Sequence, residues 1–138
     1  MKKQLLLLAV LIFLLNLTWE VAHSSLYDWN KFPLENNVYS YIPKIIISGI
    51  GDLFLISIII VIISLKNKNI SWVKKPSKLD YLLLTLLSIV FAIGIELREQ
   101  SQDKWFYADA MPALFGIGIS PLLQLAITSL LALWLIRK

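Results

Sequence analysis

The chain has no cysteine and a single histidine, His23, among its 138 residues. The first absence excludes disulfides, thiolate nucleophiles, thiolate zinc sites and cysteine-ligated iron–sulfur clusters. The second excludes any metal centre built from several imidazoles. Charge is scarce too: Asp, Glu, Lys and Arg make up 16% of the residues against 58% hydrophobic, with a mean hydropathy of +0.74. Soluble domains carry roughly 25% charged residues, so a soluble globule of this length is excluded. The formal net charge of +4 does not describe a nucleic-acid-binding face, because the lysines sit in short segments between apolar runs and not on one folded surface.

What is present is four apolar runs: Leu5 to Ala22, Ile42 to Leu65, Leu79 to Leu97 and Met111 to Ile136. A helix needs about 20 apolar residues to cross the hydrocarbon of a bilayer. The expected fold is therefore an all-α, multi-pass integral protein of the cell membrane, with four transmembrane helices in one domain spanning residues 1–138. Lys2, Lys3, Lys66, Lys68, Lys74, Lys75, Lys78, Arg137 and Lys138 fall on one side of these spans, and only Lys31, Lys44, Arg98 and Lys104 on the other. By the positive-inside rule both termini and the 66–78 loop are cytoplasmic. The start, MKKQLLLLAVLIFLL, also has the basic and leucine-rich regions of a signal peptide, but WEVAHSS offers no A-x-A cleavage site, and the segment is expected to stay as the first span. Trp72 and Trp134 read as interfacial anchors. The last helix is expected to kink or break near Pro121, which cannot donate an N–H and follows Gly116, Gly118 and Ser120. A helix beginning near Ser120, with the serine as N-cap, is the alternative.

A charged or strongly polar side chain inside an apolar span costs a few kcal/mol, roughly, unless it has a partner, a wet cavity or a function. Asn16, Glu20, His23 and Tyr27 recur on one face at the end of the first span. Ser48 and Asp52 lie one turn apart in the second, beside Gly49 and Gly51, small residues that let another backbone come close. Thr85, Ser88, Ala92 and Glu96 form a stripe in the third, followed by Arg98 and Glu99, and Ser120, Gln124 and Thr128 share a face in the fourth. With alternating span directions, all these groups fall in the extracytoplasmic half, while the other half is Leu, Ile, Val, Phe and Ala. The pattern predicts a polar pocket enclosed by the four helices.

Glu20, Asp52 and Glu96 are the candidate acid–base residues, since a carboxyl in an apolar pocket can hold and release a proton near neutrality. The competing assignment is structural pairing, with Arg98 or Lys44 neutralising Glu96 or Glu20, and Gln124 or Trp19 hydrogen-bonding Asp52. Candidate ligand-binding residues are Asn16, Trp19, His23, Arg98, Trp105, Tyr107, Ser120 and Gln124. Glu20-Val-Ala-His23 has the Glu-x-x-His spacing of di-iron carboxylate bundles, but such sites use it twice. A single ion held by Glu20, His23, Asp52 and Glu96 is a minor alternative, and no metal or other cofactor is expected.

Asn16, Trp19, Glu20 and His23, then Gly51-Asp52, then Glu96, Trp105, Tyr107 and Met111-Pro112, then Gly118, Ser120, Pro121 and Gln124 form a pattern over most of the chain. It resembles that of an uncharacterised group of small four-span prokaryotic membrane proteins. The resemblance implies the architecture and no activity. A weaker similarity is to the membrane lycopene cyclase domains, which place W-x-Y before a Pro-Leu-Glu-Glu motif at a helix start. Here Trp105 and Tyr107 are followed by Pro121-Leu122-Leu123-Gln124, without the two acids. That similarity implies a helical pocket near the bilayer edge that protonates or orients an apolar chain. The expected function is an enzyme or binder of a lipid or isoprenoid-like molecule, with membrane lipids as partners and Trp105 and Tyr107 at the pocket lip. The alternatives are a small transporter or channel subunit, or a non-catalytic assembly subunit of a membrane complex, either of them a homo-oligomer or bound to other subunits.

Overall fold

The computed structural model describes residues 1–31, 38–104 and 106–137. Four helices account for most of them: α1 (Lys2–His23), α2 (Val38–Lys66), α3 (Lys78–Ser101) and α4 (Ile119–Leu135). Short 3-10 turns follow α1 and join α2 to α3, and a two-stranded hairpin of β1 (Ala113–Leu114) and β2 (Ile117–Gly118) precedes α4. α1, α2 and α3 are long and apolar enough to cross a membrane; α4, at 17 residues, is a shorter apolar helix.

Each helix buries one stripe. In α1 it is Leu8, Ile12 and Asn16, in α3 Asp80, Leu84, Ser88, Ala92 and Glu96, and in α4 Gln124, Leu125, Thr128, Ser129 and Ala132. The steps of three and four residues are those of a 3.6-residue turn. α2 is rich in isoleucine, which ordinarily disfavours helix slightly, yet it is unbroken, because a helix is the only single-segment structure that satisfies its own backbone in an apolar medium. Its buried residues Ile56, Ile59 and Ile63 join Leu8, Ile12, Leu84 and Leu133 in the core. The outward faces of all four helices are apolar as well, including Leu14, Ile47, Phe54, Val90, Leu123 and Leu131. So much apolar exterior around a partly polar interior marks a surface built for lipid. α1 packs between α2 and α4, α4 packs along α3, and α2 meets α3 more sparsely.

Pro121 does not kink the last helix. The helix starts at Ile119 with Gly118 as N-cap, so Pro121 falls in the first turn, where its missing N–H had no intrahelical partner to lose. The apolar run from Met111 is thus divided between hairpin and helix. Phe115 and Gly116 occupy the hairpin tip with φ of 51° and 81°, the positive angles that a tight two-residue loop between twisted strands requires. Ser120 is not the cap, since its hydroxyl is engaged by α1. A Cβ on Gly49 would sit in ordinary contact with the Leu17 backbone at 3.7 Å and one on Gly51 would meet nothing, so neither position needs glycine for the helices to approach.

The end of the bundle holding the basic loop has its own polar knot. Ser77 and Asp80 form a reciprocal cap at the start of α3. The Asp80 carboxylate also accepts from Lys66 at 2.9 Å and Asn67 at 2.8 Å. Trp72 is not an exposed anchor. It is 7% exposed, packed into the core, and donates to the Ser64 hydroxyl at 2.9 Å. Trp134 is half exposed.

Candidate functional site

At the opposite end, the polar faces of α1, α2 and α4 converge on Gln124. Its side-chain nitrogen lies 2.7 Å from Asp52 Oδ2, 2.8 Å from Glu20 Oε1 and 3.4 Å from Asn16 Oδ1. An amide has only two hydrogens, so the two short contacts take them. With the nitrogen so placed, the amide donates to one oxygen of each acid. Asn16 is held by donation to the Ile12 carbonyl at 2.8 Å and acceptance from Thr128 Oγ1 at 3.1 Å. Gln124 is thereby the link between two carboxylates on different helices.

His23 sits one turn above. Trp19 Nε1 donates to Ser120 Oγ at 3.2 Å, and the same oxygen is 2.9 Å from His23 Nδ1. A hydroxyl oxygen that accepts from Trp19 can also donate to Nδ1 or accept from it, so this contact serves either tautomer of the ring, whose other nitrogen is Nε2. That atom is buried without a hydrogen bond among the described residues and lies 3.4 Å from Glu20 Oε2. His23 also packs edge-on against Tyr27, with ring centroids 5.4 Å apart.

Glu96, on α3, accepts from the Tyr107 hydroxyl. That hydroxyl in turn accepts from Gln100 Nε2 at 2.8 Å and from the Gly118 backbone N–H at 3.0 Å, so one oxygen ties α3 to the hairpin. The loop is further fixed by Asp28 N–H to the Phe106 carbonyl at 2.8 Å and Ala108 N–H to the Leu26 carbonyl at 2.9 Å. Burial first, and then the Glu96 carboxylate, push the Tyr107 phenol up to about 12. Burial, followed by Glu96 and Glu20, drives the Tyr27 phenol well above its ordinary range.

Beside these groups a cavity of about 390 Å³ opens among all four helices, with α2 and α3 supplying most of its wall, within the size range of small-molecule sites. Glu20, Asp52, Glu96 and Gln124 line it, with Arg98, Glu99 and Lys44 also on its wall and Ile47, Gly51, Phe54, Ile95 and Leu125 supplying apolar surface. Asn16, Trp19, His23, Tyr107 and Ser120 are not on the lining. They stand behind it, holding α1 and α4 together and fixing Glu96. Trp105 lies outside the described residues. No three carboxylate and imidazole groups among the described residues are placed to hold a metal ion.

The pairings expected for the basic residues differ from those observed. Arg98 is exposed and reaches Glu99 at 3.9 Å, not Glu96, and Glu99 is also met by Lys104 at 3.4 Å. Lys44 lies over the Trp29 ring at 5.8 Å and donates to the Lys104 carbonyl at 3.5 Å. Among the described residues, Glu20, Asp52 and Glu96 therefore have neutral donors and one imidazole as partners, Glu20 and Asp52 also hydrogen-bond each other, and no Lys or Arg is in ion-pair contact. Gln124 bridges Asp52 as anticipated, while Trp19 serves Ser120. The sequence reading missed Gln100, whose role depends on the hairpin folding back over α3. It also missed Asp80, for which the S-x-x-D spacing before an apolar run was the available signal.

Comparison of the chain with family models, with curated proteins and with solved structures finds no match.

Proposed function

We propose that this chain is a four-span protein of the cell membrane, with both termini cytoplasmic, and that its chamber receives the head of a lipid or isoprenoid-like molecule whose apolar part lies between α2 and α3. In this reading Glu20, Asp52 and Glu96 orient that head or exchange protons with it. The observation that carries the proposal is the form of the cavity. Carboxylates held by Gln124 and Tyr107 occupy its wall, and the apolar Ile47 and Phe54, both largely exposed to the surroundings, border it. A polar chamber with an apolar lateral margin suits a molecule that is itself divided in this way. A through-path for ions would need polar groups continuing to the basic end, where the core is mainly Ile, Leu and Val.

Gly51 provides the test. A Cβ there would meet nothing within 4 Å, and replacing an exposed helical glycine improves helix propensity by up to about 1 kcal/mol. Gly51→Leu should therefore fold at least as well as wild type while narrowing the chamber. Native mass spectrometry of protein extracted in a mild detergent is expected to find a bound amphipathic molecule on wild type and little on Gly51→Leu. A folded wild-type protein that carries no such molecule, or a variant that keeps it undiminished, overturns the proposal.

A further inference from the structure

The distribution of charge in the chamber, taken with the lipid-binding proposal on which this step rests, says which head it accepts. Three carboxylates, from Glu20, Asp52 and Glu96, face it with no lysine or arginine in contact among the described residues. A carboxylate offers about four acceptor positions, and the bonds from Gln124 and Tyr107 fill only some of them. His23, 5% exposed and behind the wall, meets Glu20 through Nε2 at 3.4 Å and leaves the chamber side of that carboxylate open. Glu99 differs from the inner three, being accompanied by Arg98 and Lys104.

The cations of the wall lie further out. On α2, Lys44 precedes Asp52 by two turns, about 12 Å of helix rise. On α3, Arg98 follows Glu96 toward the helix end, and both cations belong to the lining. From the inner wall outward the order is Glu20, Asp52 and Glu96, then Lys44 and Arg98 with Glu99 among them, with apolar surface at the side. We infer that the chamber selects a zwitterionic phospholipid whose head ends in a primary ammonium. The ammonium would donate to the Glu20, Asp52 and Glu96 carboxylates, the phosphate would lie toward Lys44 and Arg98, and the acyl chains would leave past Ile47 and Phe54. A primary ammonium has three donors to distribute among three acids, whereas a trimethylated one has none.

The measurement is competitive loading. Protein stripped of lipid in non-ionic detergent is offered an equimolar mixture of phosphatidylethanolamine, phosphatidylcholine and phosphatidylglycerol with identical acyl chains, and the bound species are counted by native mass spectrometry. Retention of phosphatidylethanolamine about tenfold above each competitor is expected, as for charge-assisted hydrogen bonds that the others cannot form. Asp52→Asn and Glu96→Gln should bring that ratio toward one while total lipid stays similar. The comparison among lipids on wild type needs no variant, so misfolding cannot imitate the result. Equal retention of the three, a preference for phosphatidylglycerol, or a preference that survives both variants overturns the ammonium assignment while leaving the lipid chamber standing. Retention of no lipid overturns the chamber reading itself. Displacement of the lipid by soluble phosphoethanolamine at matched concentration overturns the assignment to a lipid, and points to a free amine in its place.

Discussion

The Tyr107 hydroxyl donates to Glu96 while accepting from Gln100 at 2.8 Å and from the Gly118 N–H at 3.0 Å. Tyr107→Phe leaves two donors and a carboxylate without their common partner. The cost expected is about 1 to 2 kcal/mol, the usual penalty for stranding polar groups at a partly buried position, and it is read as a lower melting temperature in detergent. A pH signature accompanies it. The folded state raises this phenol from 10.0 to about 12, so over that interval the unfolded chain binds fewer protons than the folded one. Stability should then fall as pH rises from about 10 to about 12. In Tyr107→Phe that part of the alkaline loss should vanish. An unchanged pH slope in the variant would place the alkaline sensitivity on another group.

At the scale of elements, the three long helices were legible because continuous apolar runs allow little else, and the observed bounds of α1 and α3 extend the expected spans by only a few residues at each end. The fourth run was not, because β1, β2 and α4 share the same apolar composition. What separates them is the backbone at Phe115, whose φ of 51° is one that a phenylalanine rarely adopts and that no composition signals. Site residues were legible to the same degree. The stripes Asn16–Glu20–His23 and Ser120–Gln124–Thr128 were readable from spacing, but their partners depend on how each helix is rotated, so Arg98 and Lys44 were assigned to the wrong acids. Phe115 itself is 96% exposed and makes no packing contribution that its removal could forfeit. Phe115→Asn places a residue that tolerates left-handed backbone at the tip. It is expected to leave the detergent melting point unchanged or raise it by the equivalent of about 1 kcal/mol. A clear loss of stability would instead mean that Phe115 is buried against another chain, which would favour the assembly-subunit alternative.

The molecule as a whole is polarised along its helices. Lys2, Lys3, Lys68, Lys74, Lys75, Lys78 and Arg137 are exposed at one end, and the Arg137 guanidinium bonds Tyr81 near the start of α3, so the C-terminal end of α4 lies with the basic loop. The carboxylate chamber is at the other end. The bias in basic residues sets orientation, which makes the basic end cytoplasmic and the chamber extracytoplasmic in the proposed topology. α4 rises only about 25 Å at 1.5 Å per residue, short of a hydrocarbon core of about 30 Å. Because the chain contains no cysteine, single cysteines report sidedness without a background. Lys75, Asp109 and Arg137 are all exposed, and a cysteine at any of them should disturb little. With a membrane-impermeant maleimide, Asp109→Cys is expected to label on intact cells, and Lys75→Cys and Arg137→Cys only after permeabilisation. The inverted pattern would place the chamber in the cytoplasm. Labelling of Arg137→Cys together with Asp109→Cys on intact cells would mean that α4 does not cross, and the chamber would then need a second chain to close it.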